Sequence, residues 1–292
     1  MNYVKTTENI KVLSIGDLHG SSYWELPIFG KVGGFIEWKE NSEGNFPYRT
    51  QKYTHIVFVG DYVDSFHFSD TEILLNLENI IFFAKNSEIP VILLWGNHDV
   101  YYIRTEGDVK AGYRPSMQHS LQKLFLDNEK LFSVAYQIDH VSSVYRKFLW
   151  THAGISENYY ENDLVRLLAI LEEMPLAEKL QFLFDDKHPV IFQEGYSVGG
   201  RYPYGGILWA REEEVVASDI EDGYNQIVGH THTYQIMGTF NEKFTSSTFF
   251  IDTVYYSGVS QFLVIDTEKL DAEIFFVLEY DHNKKEWTHD SA

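Results

Sequence analysis

The sequence predicts an α/β fold, in which short buried strands alternate with helices before a strand-rich end. Three observations lead to this prediction. Short apolar runs recur along most of the chain and stop at a glycine or a threonine. Amphipathic helical patterns lie between these runs, and from Phe249 to Leu278 the pattern is again that of strands. Strand–helix alternation of this kind is typical of a mostly parallel sheet that is covered by helices.

Five early runs share a nearly continuous apolar or β-branched character. These strand candidates are Lys11–Ile15, Thr54–Val59, Pro90–Trp95, Phe148–Trp150 and Gln226–Val228. Runs without regularly spaced polar positions are typical of strands that are buried on both faces. The later strand-like runs are S-T-F-F-I-D, S-Q-F-L-V-I-D and A-E-I-F-F-V-L.

Three segments have the spacing of one apolar helical face. The first contains Ile73, Leu74, Leu77, Ile80, Ile81 and Ala84 and is preceded by Ser69 and Asp70. Both of these residues are suitable N-caps. The second contains Leu164, Leu167, Leu168 and Leu171, with Asp163 near its start, and the third contains Leu176, Leu180 and Leu183 after Pro175.

Two segments have no regular period. Residues 20–53 are aromatic and contain glycine, which favours an insertion beside the first strand, and residues 185–215 have the glycine content of a long ordered loop. The chain has neither an internal repeat nor a low-complexity linker. We therefore predict that residues 1–292 form a single domain.

Composition and charge exclude several classes of function. The chain has 292 residues, of which 44% are apolar, and its 23 basic and 43 acidic residues give a net charge of −20. Such a charge repels nucleic acid at long range, so a nucleic-acid partner is not expected, whereas bound cations would allow a phosphorylated substrate. The absence of cysteine excludes disulfides and thiolate metal ligands. Because neither a signal-like apolar start nor a membrane-length apolar stretch occurs, a cytoplasmic protein without a membrane partner is expected.

Each early strand candidate is followed by a cluster of polar residues that includes types suited to metal binding. The clusters are G-D-L-H-G at 16–20, G-D-Y-V-D at 60–64, G-N-H-D at 96–99, T-H-A-G at 151–154 and G-H-T-H at 229–232. Residues at the carboxyl ends of parallel strands converge in space. Each cluster alone is compatible with a turn or with structural histidines, but their joint occurrence in this order favours one metal site.

Imidazole and carboxylate ligands together favour Mn, Fe or Zn. The set is large enough for two ions, which would clamp a phosphoryl oxygen and activate a water molecule. Two such ions need a bridging carboxylate, and Asp61 at the end of a strand can supply it.

The ordered motifs, which span residues 12 to 232, resemble those of the calcineurin-like metallophosphoesterase superfamily. They are closest to the phosphoprotein-phosphatase-like branch, in which G-D-x-H-G, G-D-x-V-D and G-N-H-E recur. The resemblance implies a β-sandwich of two sheets flanked by helices, in four α/β/β/α layers. It also implies two metal ions that are both bound by Asp61. The implied ligands of the first ion are Asp17, His19, Asp61 and His232, and those of the second are Asp61, Asn97, His152 and His230.

The resemblance further implies that His98 donates a proton to the leaving-group oxygen and that Asp64 orients it. A carboxylate beside an imidazole favours the protonated ring, which agrees with this role.

The sequence departs from the protein-phosphatase pattern where substrate phosphate is bound. Ser65 and Trp95 stand where that branch has two arginines. Arg211, at the end of an L-W-A-R stretch, is one candidate replacement, and Arg201 in the glycine-rich loop is a second. The second histidine of G-H-T-H, His232, is more typical of nucleases and diesterases of the superfamily.

These observations predict a phosphomonoesterase that acts on a phosphoprotein or on a small phosphorylated metabolite. The alternative enzyme is a phosphodiesterase or nucleotide pyrophosphohydrolase, which His232 favours. A non-catalytic scaffold with this fold is a third hypothesis, but such a protein would be expected to lack ligands or the acid. A metal-binding assay distinguishes the scaffold from the enzymes.

Overall fold

Two β-sheets form the centre of the structure. It is a computed structural model that describes residues 2–41, 52–104, 111–141, 147–171, 173–216, 218–220, 223–241, 246–253, 258–269 and 271–291. The strands are β1 (Tyr3–Thr6), β2 (Lys11–Ile15), β3 (His55–Phe58), β4 (Val91–Leu94), β5 (Phe132–Ser133), β6 (Ala135–His140), β7 (Lys147–Thr151), β8 (Tyr224–Val228), β9 (Met237–Phe240), β10 (Ser247–Phe250), β11 (Val259–Asp266), β12 (Phe275–Asp281) and β13 (Glu286–Ser291).

The helices lie between these strands. They are α1 (Glu25–Phe29), α2 (Gly34–Asn41), α3 (Asp70–Asn86), α4 (Asn97–Ile103), α5 (Gln118–Asp127), α6 (Glu157–Tyr159), α7 (Val165–Ile170), α8 (Leu176–Asp185) and α9 (Glu212–Val215). None of the helices in the described residues combines the length and the apolar character that crossing a bilayer requires.

The two sheets have mixed strand directions. The order in the seven-stranded sheet is β13-β12-β11-β2-β3-β4-β5, and that in the six-stranded sheet is β1-β6-β7-β8-β10-β9. Strands β2, β3 and β4 run parallel in the first sheet, and β7, β8 and β10 run parallel in the second. The three parallel strands of each sheet therefore end at the same edge of that sheet, where polar side chains that follow them can lie close together.

The apolar core lies on both faces of the sheets. One cluster of buried residues joins Val57 of β3 and Leu263 of β11 to Phe148 of β7 and Phe249 of β10, so it fills the space between the sheets. The larger cluster joins the opposite faces of the strands to the helices, for example through Leu77 of α3. Together these clusters confirm the predicted sandwich of two sheets flanked by helices.

The described strands and helices agree with the sequence patterns in most places. The five early strand candidates correspond to β2, β3, β4, β7 and β8, and the three later runs correspond to β10, β11 and β12. Helix α3 begins after a capping box, because Ser69 accepts a hydrogen bond from the Glu72 backbone and Glu72 bonds back to it. The third predicted helix is α8. The second corresponds to α7, which follows α6 and a π-helical turn at Tyr160–Leu164.

The described part of segment 20–53 packs into the core between β2 and β3. Its residues up to Asn41 contain α1 and α2, and Trp24 is fully buried there with its ring centroid 5.4 Å from that of Phe83 in α3. The indole nitrogen of Trp24 also donates to Asn76 Oδ1 at 2.9 Å. Residues 42–51 lie outside the described residues. The aromatic composition of this segment therefore reflects core packing against α3.

Candidate metal centre and acid–base pair

Close backbone approaches bring the strand ends together. A Cβ atom at Gly96 would lie 2.1 Å from Asp61 Oδ1, and one at Gly229 would lie 2.0 Å from Asp17 Oδ1. Neither contact is possible for a residue with a side chain without a shift of the backbone. Glycine at these two positions therefore allows the two carboxylates to lie directly against neighbouring strand ends.

Four site residues have left-handed backbone conformations, which are unfavourable for residues other than glycine. The φ angles are 45° for His19, 52° for Asp61, 62° for Asp64 and 64° for His230. Backbone hydrogen bonds hold these conformations, since the amides of Leu18 and His19 both donate to Asp61 O, at 3.1 and 2.8 Å. The strain is thus concentrated at the residues that the sequence marked as functional.

The first group of candidate ligands contains Asp17, His19 and Asp61, which are all buried. Ligand atoms from these three residues lie within 4.8 Å of one another. The Nδ1 atom of His19 lies 2.9 Å from the carbonyl of Val63, to which it must donate, and its Nε2 atom lies 3.8 Å from Asp61 Oδ2. The carbonyl therefore selects the tautomer in which Nε2 carries no proton and faces the carboxylate of Asp61.

The second group contains Asp61, His152 and His230, whose ligand atoms also lie within 4.8 Å of one another. Asn97 Oδ1 joins it at 2.7 Å from His152 Nε2 and 2.9 Å from His230 Nδ1. Because His152 Nδ1 lies 2.8 Å from the carbonyl of Val59, Nε2 is again the nitrogen that faces the site. Asp61 is common to both groups.

These residues fit bound cations. Asp17 Oδ1 and His230 Nε2 are buried and have no hydrogen-bond partner among the described residues. The neutral tautomer of His152 would direct a lone pair toward the Asn97 oxygen and toward Asp61 Oδ2, which lies 3.4 Å away. Buried acceptors that face one another are costly unless a cation lies between them.

The charges of the site affect one another strongly. Burial raises the pKa of Asp17 well above its usual range, and the carboxylates of Asp252 and Asp61 raise it further. Burial opposes the ionisation of Asp61, but the imidazoles of His152 and His98 hold its pKa well below the usual range. Asp61 is therefore an anion.

A hydrogen-bonded pair lies beside the candidate metal ligands. His98 Nδ1 lies 3.0 Å from Asp64 Oδ2, and the His98 ring centroid lies 5.2 Å from that of His19. The other oxygen of Asp64 accepts a short hydrogen bond from the hydroxyl of Tyr102. Burial opposes protonation of His98, but Asp61 and Asp64 outweigh it and raise the pKa of His98 to about 9. The imidazole is therefore a cation at neutral pH and can donate a proton.

Asp99 binds the backbone of two motifs. It is fully buried, and its carboxylate accepts hydrogen bonds from the amides of Asp61 at 2.8 Å, Tyr62 at 3.0 Å and Gly96 at 2.9 Å. The sequence marked Asp99 only as the last residue of its motif. In the structure, Asp99 holds the loop after β3 against the start of α4.

His232 lies at the edge of the first group. Its Nδ1 atom lies 2.5 Å from Asp252 Oδ2, and its ring centroid lies 6.1 Å from that of His19. The side chain of His232 is 41% exposed, whereas that of Asp252 is fully buried. Asp252, which follows β10, is a site residue that the sequence patterns missed, although it ends a run recognised as a strand.

The two candidate arginines differ in position. Arg211 is half-buried, and its guanidinium donates to the carbonyl of His230 at 3.5 Å, so it borders the second group. The Trp209 ring lies edge-on to that of His230, with 5.7 Å between centroids, and Tyr101 packs edge-on against Trp209. Arg201 is exposed. Within the described part of the chain, no hydrogen bond or ion pair joins it to the candidate metal ligands or to the pair of His98 and Asp64.

Trp95 and Ser65, which stand where the protein-phosphatase branch has arginines, have structural roles. Trp95 is buried and stacks on Phe132 with 4.5 Å between ring centroids, so it belongs to the core. The hydroxyl of Ser65 accepts from the amides of His67 at 3.0 Å and Phe68 at 3.3 Å, which closes its own loop. Of the residues that the sequence raised as phosphate ligands, Arg211 is the one that borders the site.

Comparison with known proteins identifies one family. A family model described as calcineurin-like phosphoesterase matches residues 10–234. No curated protein matches the chain.

Several solved structures are similar to the chain over most of its length. A protein serine/threonine phosphatase from Saccharomyces cerevisiae with similarity to human phosphatase PP5 is 13% identical, with 96% of this chain and 83% of that chain covered and a TM-score of 0.48. A novel archaeal phosphodiesterase is 12% identical, with 97% of this chain and 100% of that chain covered and a TM-score of 0.33. A dimetal phosphatase from Danio rerio is 13% identical, with 97% of this chain and 98% of that chain covered and a TM-score of 0.38. At these TM-scores the structural likeness carries no further argument.

Proposed function

The chain belongs to the calcineurin-like phosphoesterase family, and from that premise we propose that it hydrolyses phosphomonoesters with the help of two bound metal ions. One observation carries the proposal. Asp61 belongs to both groups of candidate ligands, and the amide of His98 donates to Asp61 Oδ1 at 2.9 Å. The backbone of the candidate acid is therefore hydrogen-bonded directly to the carboxylate that would bridge the metals.

Each candidate residue has a defined task in this proposal. The first ion would be held by Asp17, His19, Asp61 and His232, and the second by Asp61, Asn97, His152 and His230. Mn, Fe or Zn would suit these nitrogen and oxygen ligands. When bound, two such ions neutralise the charge of a phosphoryl group and make water a better nucleophile.

The acid–base step belongs to His98 and Asp64. Asp64 accepts from His98 Nδ1, so the proton that can be transferred is the one on Nε2, which is the ring nitrogen away from Asp64. An imidazolium in this position can protonate the leaving-group oxygen when the ester bond breaks. Water would supply the oxygen that replaces the ester oxygen on phosphorus. The ester oxygen would leave as an alcohol or phenol with the proton from His98, and inorganic phosphate would be the second product.

The preference for a monoester rests on charge. A monoester dianion has two negative charges on its phosphoryl oxygens, whereas a diester has one. The half-buried Arg211 guanidinium at the carbonyl of His230 adds positive charge beside the candidate ligands. A planar guanidinium can bind two oxygens of one phosphate.

A second candidate is a phosphodiesterase, which the position of His232 near the first group favours. The two functions are separated by assays with 4-nitrophenyl phosphate and bis(4-nitrophenyl) phosphate in the presence of Mn²⁺. We expect a higher kcat/KM for the monoester, and Asp61→Asn should abolish both activities. Hydrolysis of the diester alone would contradict the proposal.

The binding of metal can be tested without a substrate. Metal-free protein should take up two Mn²⁺ ions per chain in calorimetric titration, and Asp61→Asn should lose both because it removes the shared ligand. A chain that binds no Mn, Fe or Zn would favour the non-catalytic scaffold.

A further inference from the structure

Tyr102 lies against the candidate acid–base pair, outside the recognised motifs. It follows His98 by four residues in α4, and residues four apart lie on the same face of a helix. Both side chains contact the carboxylate of Asp64. Its Oδ2 atom lies 3.0 Å from His98 Nδ1, and its Oδ1 atom accepts a hydrogen bond from the Tyr102 hydroxyl. One carboxylate therefore joins two side chains of α4, with one oxygen for each.

The hydroxyl of Tyr102 has a defined direction. The backbone amide of Arg114 donates to the hydroxyl oxygen at 3.2 Å. Because an amide can only donate, the hydroxyl accepts in this contact and directs its own proton to Asp64. Tyr102 is fully buried, so water does not compete for either hydrogen bond.

Arg114 also holds the segment that follows Asp64. Its guanidinium donates to the carbonyl of Phe68 at 2.7 Å and to the carbonyl of Ser65. Gly112, two residues before it, packs on the acid itself, since a Cβ atom there would lie 3.3 Å from Asp64 Cβ. The segment that orients the tyrosine hydroxyl therefore also lies against the acid and binds the loop after it.

The conformation of Asp64 needs such support. Its φ angle of 62° is left-handed and unfavourable for a residue other than glycine. Its side chain is buried, whereas that of His98 is 20% exposed. The hydrogen bond from Tyr102 limits rotation of the carboxylate about its Cβ–Cγ bond. A fixed, buried carboxylate can in turn limit the rotation of a partly exposed imidazole.

We propose that Tyr102 is a positioning residue of the acid–base pair, which holds the Asp64 carboxylate by Oδ1 and so keeps Oδ2 on Nδ1 of His98. The inference rests on the proposed function only for the proton that His98 gives to a leaving group. With Nδ1 held, the proton on Nε2 keeps one direction. Connected hydrogen bonds of this kind orient a reacting group through a residue that does not touch the substrate.

Tyr102→Phe tests the proposal, because it removes the hydroxyl and keeps the ring. For phenyl phosphate, which has a poor leaving group, kcat should fall by about 10–100-fold, as expected for the loss of a hydrogen bond to a charged group. For 4-nitrophenyl phosphate, kcat should fall much less. KM for both substrates and the affinity for Mn²⁺ should stay the same, since no candidate ligand changes. An unchanged kcat for phenyl phosphate would overturn the inference.

A double-mutant cycle shows whether Tyr102 acts through His98. In a His98→Asn background, Tyr102→Phe should change kcat for phenyl phosphate by less than about threefold, because the group that it positions is already absent. An equally large fall in both backgrounds would overturn the inference.

Tyr113→Phe is the matched control. The Tyr113 ring centroid lies 5.3 Å from that of Tyr102, and its hydroxyl donates to Gln118 Oε1 at 2.8 Å. This variant removes a hydroxyl from the same cluster without removing a donor to Asp64. It should leave kcat for both substrates unchanged. Equal losses in the two tyrosine variants would overturn the inference, because they would reflect packing alone.

NMR of the metal-free full chain tests the same contact without a substrate. The Nδ1 proton of His98, assigned by its loss in His98→Asn, should exchange with water about 10-fold faster in Tyr102→Phe than in wild type. In Tyr113→Phe its exchange should not change. Unchanged exchange in Tyr102→Phe would overturn the inference.

The wild-type chain covers the case in which Tyr102→Phe does not fold. With ring-labelled tyrosine, the hydroxyl proton of Tyr102 should give a signal that exchanges slowly with water, and the absence of this signal would overturn the inference. These NMR results need neither metal nor turnover. A chain that shows them but hydrolyses no monoester would therefore contradict the proposed function alone.

Discussion

Replacement of His98 by asparagine tests the acid–base pair most directly. The contact that joins residue 98 to the candidate metal ligands is made by its backbone amide, which donates to Asp61 Oδ1 at 2.9 Å. That bond does not depend on the side chain. An asparagine side chain can also donate to Asp64, and the His98 side chain is 20% exposed, so no large cavity forms. His98→Asn should therefore fold and should retain both metal ions.

The loss of activity should be large because the protonated ring of His98 is favoured. Asp61 and Asp64 raise the pKa of His98 to about 9 against the effect of burial. A positioned general acid contributes roughly 10²–10⁴-fold to the rate. This corresponds to about 2.7–5.5 kcal/mol of the activation free energy, and we expect kcat to fall by that factor for a substrate with a poor leaving group.

Two substrates separate loss of the acid from general damage. Phenyl phosphate has a poor leaving group and needs protonation, whereas 4-nitrophenyl phosphate has a good one and needs it less. The fall in kcat on His98→Asn should therefore be much larger for phenyl phosphate. Equal losses for both substrates would refute the acid role, as would a loss of bound Mn²⁺ in the variant.

Three further predictions follow from the same geometry. Asp64→Asn removes a carboxylate that raises the pKa of His98. Because activity needs the protonated ring, it is lost as pH rises through that pKa. The alkaline limb of the kcat profile should therefore move to lower pH in this variant. Arg211→Ala should raise KM or lower kcat/KM for a phosphomonoester by roughly 10-fold, as expected for one charged hydrogen bond, whereas the exposed Arg201→Ala should change neither. Removal of bound metal by a chelator should lower the melting temperature, because a metal at 100 times its Kd stabilises the folded chain by about 2.7 kcal/mol. An unchanged melting temperature would contradict metal binding by these residues.

The fold was largely predictable because its central strands are apolar throughout and end in recognisable motifs. Strands β1, β5, β6, β9 and β13 were not predicted. β13 illustrates the reason, since Glu286–Ser291 is a polar sequence that becomes a strand by pairing with β12. Pairing of this kind depends on a neighbour supplied by the fold, and no local period reveals it.

The candidate site was predictable where ligand types cluster and less so where single residues act. Asp17, His19, Asp61, Asn97, His152 and His230 were predicted from their motifs, and the structure places them together. Asp252 and Tyr102 lack such a motif, and their contacts to His232 and Asp64 span 20 and 38 positions along the chain. Only the folded chain brings such pairs into contact, so spacing could not reveal them.

Hydrogen bonds from neighbouring residues fix the conformation of Asp61, the residue that would bridge the two ions in the proposed function. Its left-handed backbone, with φ at 52°, costs on the order of 1–3 kcal/mol. Asp99 offsets this cost through hydrogen bonds to the amides of Asp61, Tyr62 and Gly96, each worth about 0.5–1.5 kcal/mol or more because the acceptor is a carboxylate. The carboxylate of Asp61 is held separately by the amide of His98. Because the backbone and the side chain of Asp61 are both held by the G-N-H-D motif at 96–99, which also contains Asn97 and His98, the candidate acid and the candidate ligands share one frame. A change at Asp99 should therefore disturb metal binding and proton donation together, although Asp99 belongs to neither group of candidate ligands.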